Sequence, residues 1–219
     1  MNLKEYILNE ISGITLESSV KKAKKICKGF PVSHIPVVDD IHLVGCISES
    51  DIQTFENNEL PLGELIDLLD FFYVNDDISL LELIKQFADH DSNIIPVLDN
   101  NKQYLGYFDL ADILDLFSEH PFLYEYGTIL VVEKSHKDYS FSEVSQIIES
   151  NNGKILGQYI SEDDGSTTQI TLKIVSEEIN EIIQTFRRYN YNVISNHKDD
   201  NYLQDLKDRS DYLQKYLDM

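Results

Sequence analysis

The feature that most constrains this chain is an internal repeat. Ser33-His34-Ile35-Pro36-Val37-Val38-Asp39 recurs sixty positions later as Asn93-Ile94-Ile95-Pro96-Val97-Leu98-Asp99. The stretches ahead of each copy align at the same offset, with Ser19, Val20, Ala23 and Cys27 matching Ser79, Leu80, Leu83 and Phe87. That spacing is one face of a helix, and Lys21, Lys22, Lys24 and Lys25 take the solvent side of the first copy. Beyond the Ile-Pro segment the offset becomes sixty-one, the extra residue being absorbed in a turn. Val44-Gly45-Cys46-Ile47-Ser48-Glu49-Ser50-Asp51 then matches Leu105-Gly106-Tyr107-Phe108-Asp109-Leu110-Ala111-Asp112. Each unit reads strand, helix, strand, turn, strand, helix, with Asp39-Asp40 and Asp99-Asn100-Asn101 supplying the turns.

The junction of the last strand and last helix carries the chemistry. Ser48 ends the strand, where its side-chain oxygen is placed to accept a backbone N–H and cap the helix. Asp51 falls at the third helical position, favoured by the helix dipole. Capping alone accounts for both residues. The same residues carry a resemblance. His-Ile-Pro-Val-Val-Asp followed by Val-Gly-x-Ile-Ser-x-x-Asp resembles a CBS domain, and the two copies resemble a tandem CBS pair over about residues 10–118.

The resemblance implies two clefts related by a pseudo-twofold axis, which in that family often take AMP, ADP, ATP, S-adenosylmethionine or another adenosyl compound. It implies that the Ile-Pro segment holds the base, the Asp the ribose hydroxyls, and the Ser or Thr the phosphate side. The first cleft would then use Ile35, Pro36, Ser48 and Asp51. The second would use Ile95, Pro96 and Asp112, with Asp109 standing where Ser or Thr is expected.

Charge bears on what such clefts take. The chain carries a formal charge of −21, of which −14 lies in residues 1–120 and −7 in the remainder. A field of that sign repels DNA, RNA and anionic lipid, so nucleic acid and membrane are not expected partners. It also opposes a phosphate unless local donors compensate. No Arg occurs before Arg187, and the cations near the first motif are Lys28, His34 and His42. Asp109 sets a carboxylate where a phosphate would approach a helix N-terminus.

The second half changes pattern. His120-Pro121 closes the repeat region, because a residue before Pro resists helix. The apolar run at 128–132 reads as a central strand. Ser140 with Glu143 reads as a capping box ahead of Phe141, Val144, Ile147 and Ile148, and Gly153 as a left-handed C-cap. Residues 154–160 read as a strand, 162–166 as a hairpin turn, 168–175 as a strand with Ile170, Leu172 and Ile174 inward, 177–189 as a helix and 191–195 as a strand. The order βαββαβ is ferredoxin-like. Appended to such a pair, it resembles an ACT domain. The whole of 1–197 is similar to the acetoin-utilisation type of CBS–ACT protein, in the form associated with Bacteroidetes. The loop 133–139, where amino-acid-sensing ACT domains commonly carry Gly, Asn or Asp, offers Asp138 and no Gly. Residues 199–217 read as a final helix with Leu203, Leu206, Leu213 and Leu217 at heptad-like spacing.

The expected fold is therefore mixed α/β (α+β). It comprises a tandem CBS pair at 1–120 (repeats about 1–59 and 60–120), an ACT-like domain at 121–197 and a helix at 198–219. A P-loop, a GxSxG elbow, a GxGxxG turn and paired Cys/His ligands are all missing, and no two of the six histidines lie at i,i+3 or i,i+4, so neither catalysis nor a metal is expected. Cys27 and Cys46 sit among apolar residues and read as small buried hydrophobes with reduced thiols. Met1-Asn2-Leu3-Lys4-Glu5 lacks the basic and apolar regions of a signal peptide, and no apolar run reaches the ~18–20 residues of a membrane span, so the expected compartment is the cytoplasm. The expected function is that of a non-catalytic regulator binding an adenosyl nucleotide and signalling through a homodimer to a regulated protein; the alternative is a ligandless scaffold. Leu80, Leu83, Ile84, Ile113, Leu114, Leu116 and Phe117 supply the expected pairing surface.

Overall fold

The computed structural model describes residues 2–11 and 14–194, and the chain divides into two compact units, Met1–Glu119 and His120–Met219. The expected helix at 198–219 lies outside the described residues.

In the first unit, α1 (Val20–Gly29) starts at Ser19, whose Oγ accepts the Lys22 N–H. An antiparallel hairpin follows, β1 (His34–Asp39) and β2 (His42–Ser48), turning through Asp40 at φ 54°, then α2 (Glu49–Thr54). The second copy repeats this as β3 (Val74–Asn75), α3 (Leu80–Asp89), β4 (Ile94–Leu98), β5 (Tyr104–Asp109) and α4 (Leu110–Ser118). β3 lies parallel to β4, and β4 antiparallel to β5. Both hairpins carry a register shift at the same place, between Val37 and Val38 and between Val97 and Leu98. The copies differ at the opening strand. Among the described residues, the first copy has at this place a bond from the Val38 N–H to the Ile14 carbonyl, 2.9 Å, where the second copy has β3 paired with β4.

The copies interlock. Asp70, in the segment entering the second copy, exchanges two backbone hydrogen bonds with Cys46 on β2, at 2.7 and 2.9 Å. Leu8, entering the first copy, does the same with Tyr107 on β5, at 2.8 and 2.9 Å. Each entering segment thus extends the sheet of the other copy. The glycine of each motif follows from this. A Cβ on Gly45 would stand 2.9 Å from Leu69 Cβ, and one on Gly106, at φ +147°, would stand 2.2 Å from the Leu8 carbonyl oxygen. Two cores result. One gathers Val20, Ala23, Ile35, Val37, Ile47 and Ile52 with Ile94 and Tyr107 of the other copy. The second gathers Leu83, Phe87, Ile95, Val97, Phe108 and Ile113 with Leu3 and Cys46. Leu83, Ile113 and Leu116, read from the sequence as pairing surface, are buried in this core, whereas Leu114 remains 47% exposed.

The second unit begins with a short helix that the sequence reading lacks, α5 (Pro121–Tyr124), with His120 as its N-cap. It continues as β6 (Thr128–Ser135), α6 (Phe141–Ser150), β7 (Lys154–Asp163), β8 (Thr167–Val175), α7 (Ile179–Arg188) and β9 (Asn192–Val193). The sheet order is β7-β8-β6-β9 with every pairing antiparallel, the ferredoxin-like arrangement. Ile170, Leu172 and Ile174 point inward against Ile147, Ile148, Ile182 and Phe186. Phe122 of α5 lies over Gly157, where a Cβ would meet its ring at 2.2 Å.

Two local expectations are corrected here. Ser140 caps α6 by accepting the Glu143 N–H, but Glu143 does not complete a capping box. Its carboxylate pairs instead with Lys134 Nζ at 2.6 Å, and that ammonium also lies 4.4 Å from the Tyr191 ring centre. The complete box forms elsewhere, between Ser79 and Glu82 on α3. At the end of α6 the left-handed residue is Asn152 (φ 57°), not Gly153. Gly153 is required for space, since a Cβ there would lie 2.8 Å from Ile148 and 2.9 Å from Ile182. The remaining elements differ in length. β6 and β7 each run three residues beyond the expected ends, and β9 is only two residues long.

Candidate functional site

The first motif folds around the start of α2. Ser48 Oγ accepts the Asp51 N–H at 3.0 Å and donates to Asp51 Oδ2 at 2.6 Å, closing a reciprocal cap. The Glu49 N–H goes to the Ser33 carbonyl, 2.7 Å, tying this corner to the start of β1. Asp51 is half-buried, and its Oδ1 makes no hydrogen bond among the described residues. A carboxylate oxygen beside a strand end, pre-positioned by its neighbour's hydroxyl, suits a ligand carrying hydroxyl donors.

The second motif is built differently. Asp109 is itself the N-cap of α4, with Oδ1 accepting the N–H groups of Ala111 at 2.8 Å and Asp112 at 3.4 Å. The amides that would greet an anion are already satisfied by a negative charge. Asp112 is exposed. Ile35, Pro36, Ile95 and Pro96 are all buried, with Ile35 packed in one core and Ile95 in the other. Their side chains hold the strands in place, which leaves the backbone edge for any contact with a base.

Between the two motifs lies a junction that the sequence reading does not identify as a site. Ser33 and Asn93 occupy equivalent positions in the two copies and bond to one another. The Ser33 N–H donates to Asn93 Oδ1 at 2.7 Å, and the Asn93 N–H to Ser33 Oγ at 2.9 Å. Asn93 Nδ2 also reaches the Pro31 carbonyl, 2.5 Å. A groove of about 540 Å³ opens here, with Ser33, Asp91, Ser92 and Asn93 beside Phe87 and Leu110 in its wall. That volume lies in the range of small-molecule sites. The recurrence of a small polar residue two before each Ile-Pro pair was the available signal.

His34 sits beside this junction. It is 8% exposed, with Nδ1 3.0 Å from Ser33 Oγ and its ring edge-on to Phe72 at 5.5 Å. Phe72 stacks on His90 at 4.4 Å. Burial pushes the His34 imidazole below its ordinary pKa, against the pull of Asp70, Asp91 and Asp51. Among the described residues no group of three or more His, Cys, Asp or Glu is placed to hold a metal, and no helix is long and apolar enough to cross a membrane.

The family model described as CBS domain matches residues 4–56 and 63–119, about half of the chain. An inosine-5′-monophosphate dehydrogenase from Korarchaeum cryptofilum (strain OPF8) is 25% identical over 117 residues, 53% of this chain. The chain spans about a quarter of the length of that curated relative, 24%. Among solved structures, a CBS domain pair/ACT domain protein from Thermotoga maritima is 16% identical with a TM-score of 0.48, covering 54% of this chain and 98% of its own. The protein CBSX2, solved in complex with AMP, is 21% identical with a TM-score of 0.44, covering 53% of this chain and 95% of its own.

Proposed function

This chain belongs to the CBS-domain family, and from that premise we propose that it is a non-catalytic sensor whose first cleft binds an adenosyl compound. The carrying observation is the corner at α2, where Ser48 and Asp51 lock one another and leave a carboxylate oxygen available. In this reading Asp51 takes the ribose hydroxyls, Ser48 lies toward the 5′ side, and the backbone at Ile35 and Pro36 meets the base. The second cleft, with Ile95, Pro96 and Asp112, is the weaker one, because Asp109 occupies the helix amides.

The domain reading accompanies this. Residues 1–120 act as the CBS pair and 121–197 as an ACT-like module, the latter supported by the ferredoxin-like strand order. The acetoin-utilisation subtype, a cytoplasmic setting and signalling through a homodimer complete the proposal. The exposed edge strand β7 and the outward Leu81 and Leu114 support pairing. Light scattering should give a mass near twice 25.3 kDa. A monomer mass would remove the dimer from the account.

Differential scanning fluorimetry with AMP, ADP, ATP and S-adenosylmethionine, with and without Mg²⁺, tests the ligand. At one hundred times the dissociation constant a binder adds about 2.7 kcal/mol of stability, a readily measured rise in Tm. Silence from all four at millimolar concentration would favour the ligandless scaffold, to which the self-capped Asp109 corner already lends an observation.

A further inference from the structure

We infer that two chains pair head to tail, the α1–α2 face of one seated on the α3–α4 face of the other. This rests on the homodimer reading just given and assigns it a surface. α1 packs on α2, and α3 on α4. α1 carries Lys21, Lys22, Lys24, Lys25 and Lys28 and no acid, and α2 carries Glu49 and Asp51, so the first helix pair has a net charge of +3. In the second copy, Glu82, Lys85 and Asp89 on α3 with Asp112 and Asp115 on α4 give a net −3. Two of these helices are also charged against their own dipoles. The first turn of α1 holds Lys21 and Lys22 and no acid, beside N–H groups that are already positive. The last turn of α4 holds Asp115 and no base, with Glu119 as its C-cap.

Little within the chain offsets either face. Lys24 Nζ bonds to the Phe55 carbonyl, and Lys21 pairs with Glu59 in full exposure to water, where an ion pair contributes little. Lys25 and Lys28 are exposed, and their side chains make no hydrogen bond or ion pair among the described residues. The same holds for the carboxylates of Asp115 and Glu119. A second copy of this chain presents the complement of each face. Because the two halves are built alike, a twofold-related chain sets basic on acidic twice over, an isologous contact. Apolar anchors lie within the acidic face. Leu81 is 69% exposed on α3 and Leu114 is exposed on α4. Lysine stems of the opposing α1 can cover these leucines while their ammonium groups reach the neighbouring carboxylates. Head-to-head pairing would instead set +3 on +3 and −3 on −3, which like-charge repulsion opposes.

Sedimentation equilibrium of the full chain at low and high salt decides the matter. The variants are Lys25→Glu/Lys28→Glu, Asp115→Lys/Glu119→Lys and the combination of all four substitutions. All four positions are exposed and none belongs to a candidate cleft, and melting curves confirm that each variant is folded. The wild-type dimer should loosen as salt rises. Each double variant should raise the dissociation constant about tenfold or more, because like charges then face one another. The four-residue variant exchanges the signs of the two faces and should return to within about threefold of wild type. In a head-to-head dimer like would still face like, so no such rescue would occur. A dimer that tightens with salt, or one that the double variants loosen without rescue in the combination, overturns the head-to-tail pairing. A dimer that every variant leaves unchanged overturns it too, and leaves the homodimer standing on another surface such as the open edge of β7. Heparin retention lost only in Lys25→Glu/Lys28→Glu, with that unchanged dimer, would assign α1 to a polyanion instead. A wild type that is monomeric at both salts overturns the homodimer itself, and this arrangement with it.

Discussion

Position 106 shows how much of this molecule turns on single residues. Gly106 has φ +147° and lies so near the Leu8 carbonyl that a methyl group would overlap it. Ala there faces both backbone strain and collision with a fixed main-chain atom, so Gly106→Ala should cost upwards of about 2 kcal/mol in urea unfolding. Gly45→Ala should cost less, because its φ lies outside the left-handed region and its nearest contact, Leu69 Cβ at 2.9 Å, is far less severe than the 2.2 Å at Gly106. Equal costs would show that the crossing segments are not what fixes these glycines. His34 makes a different prediction. Burial holds its imidazole below 6.5, so the unfolded chain takes up a proton that the folded chain resists. The associated stability is complete above about pH 6.5 and is lost as pH falls through the depressed folded value. The Tm of the wild type should therefore fall more steeply than that of His34→Gln between about pH 7 and 5.5. Parallel profiles would mean that His34 does not titrate with unfolding. The two thiols fit the same picture of a closed interior, with burial pushing Cys27 up to about 11 and Cys46 higher still.

At the scale of elements, the two motif corners are the same sequence device resolved in two ways. Ser48 caps α2 and holds Asp51, whereas Asp109 caps α4 and holds backbone N–H groups only. Replacing Asp109 by Ala removes the cap and should cost about 1 kcal/mol. Asp109→Ser should keep most of that stability and give the second cleft the hydroxyl of the first, so adenosyl response should rise in Asp109→Ser and not in Asp109→Ala. If the two variants respond alike, the carboxylate is not what weakens the second cleft.

Legibility from sequence divides along similar lines. The repeat, its turns and its helix faces were readable because Gly, Pro, Asp and the apolar spacing punctuate them in order. The crossing of Leu8 and Asp70 was not, because its bonds are backbone to backbone and ask nothing of side-chain type. Asn152 took the left-handed role expected of Gly153 because the glycine was needed for its missing Cβ, a tertiary demand. Glu143 left its capping box because Lys134 on the neighbouring strand offers a charged partner. Of the candidate residues, the Ser48–Asp51 pair was legible as a local cap. The Ser33–Asn93 link and the carboxylates around His34 were not, since they come together from opposite copies.

Seen as a whole molecule, the chain joins an interlocked, acidic pair of repeats to a ferredoxin-like unit with its own core. The first unit holds both candidate clefts. Its pseudo-symmetry predicts two sites by shape, and its chemistry predicts one by charge and capping. The measurement that meets this claim most directly is isothermal titration of S-adenosylmethionine into the wild type, Asp51→Ala and Asp112→Ala. The account predicts one site per chain in the wild type, binding unmeasurable in Asp51→Ala, and binding in Asp112→Ala within about threefold of wild type. Two equivalent sites per chain, or undiminished binding in Asp51→Ala, would contradict it.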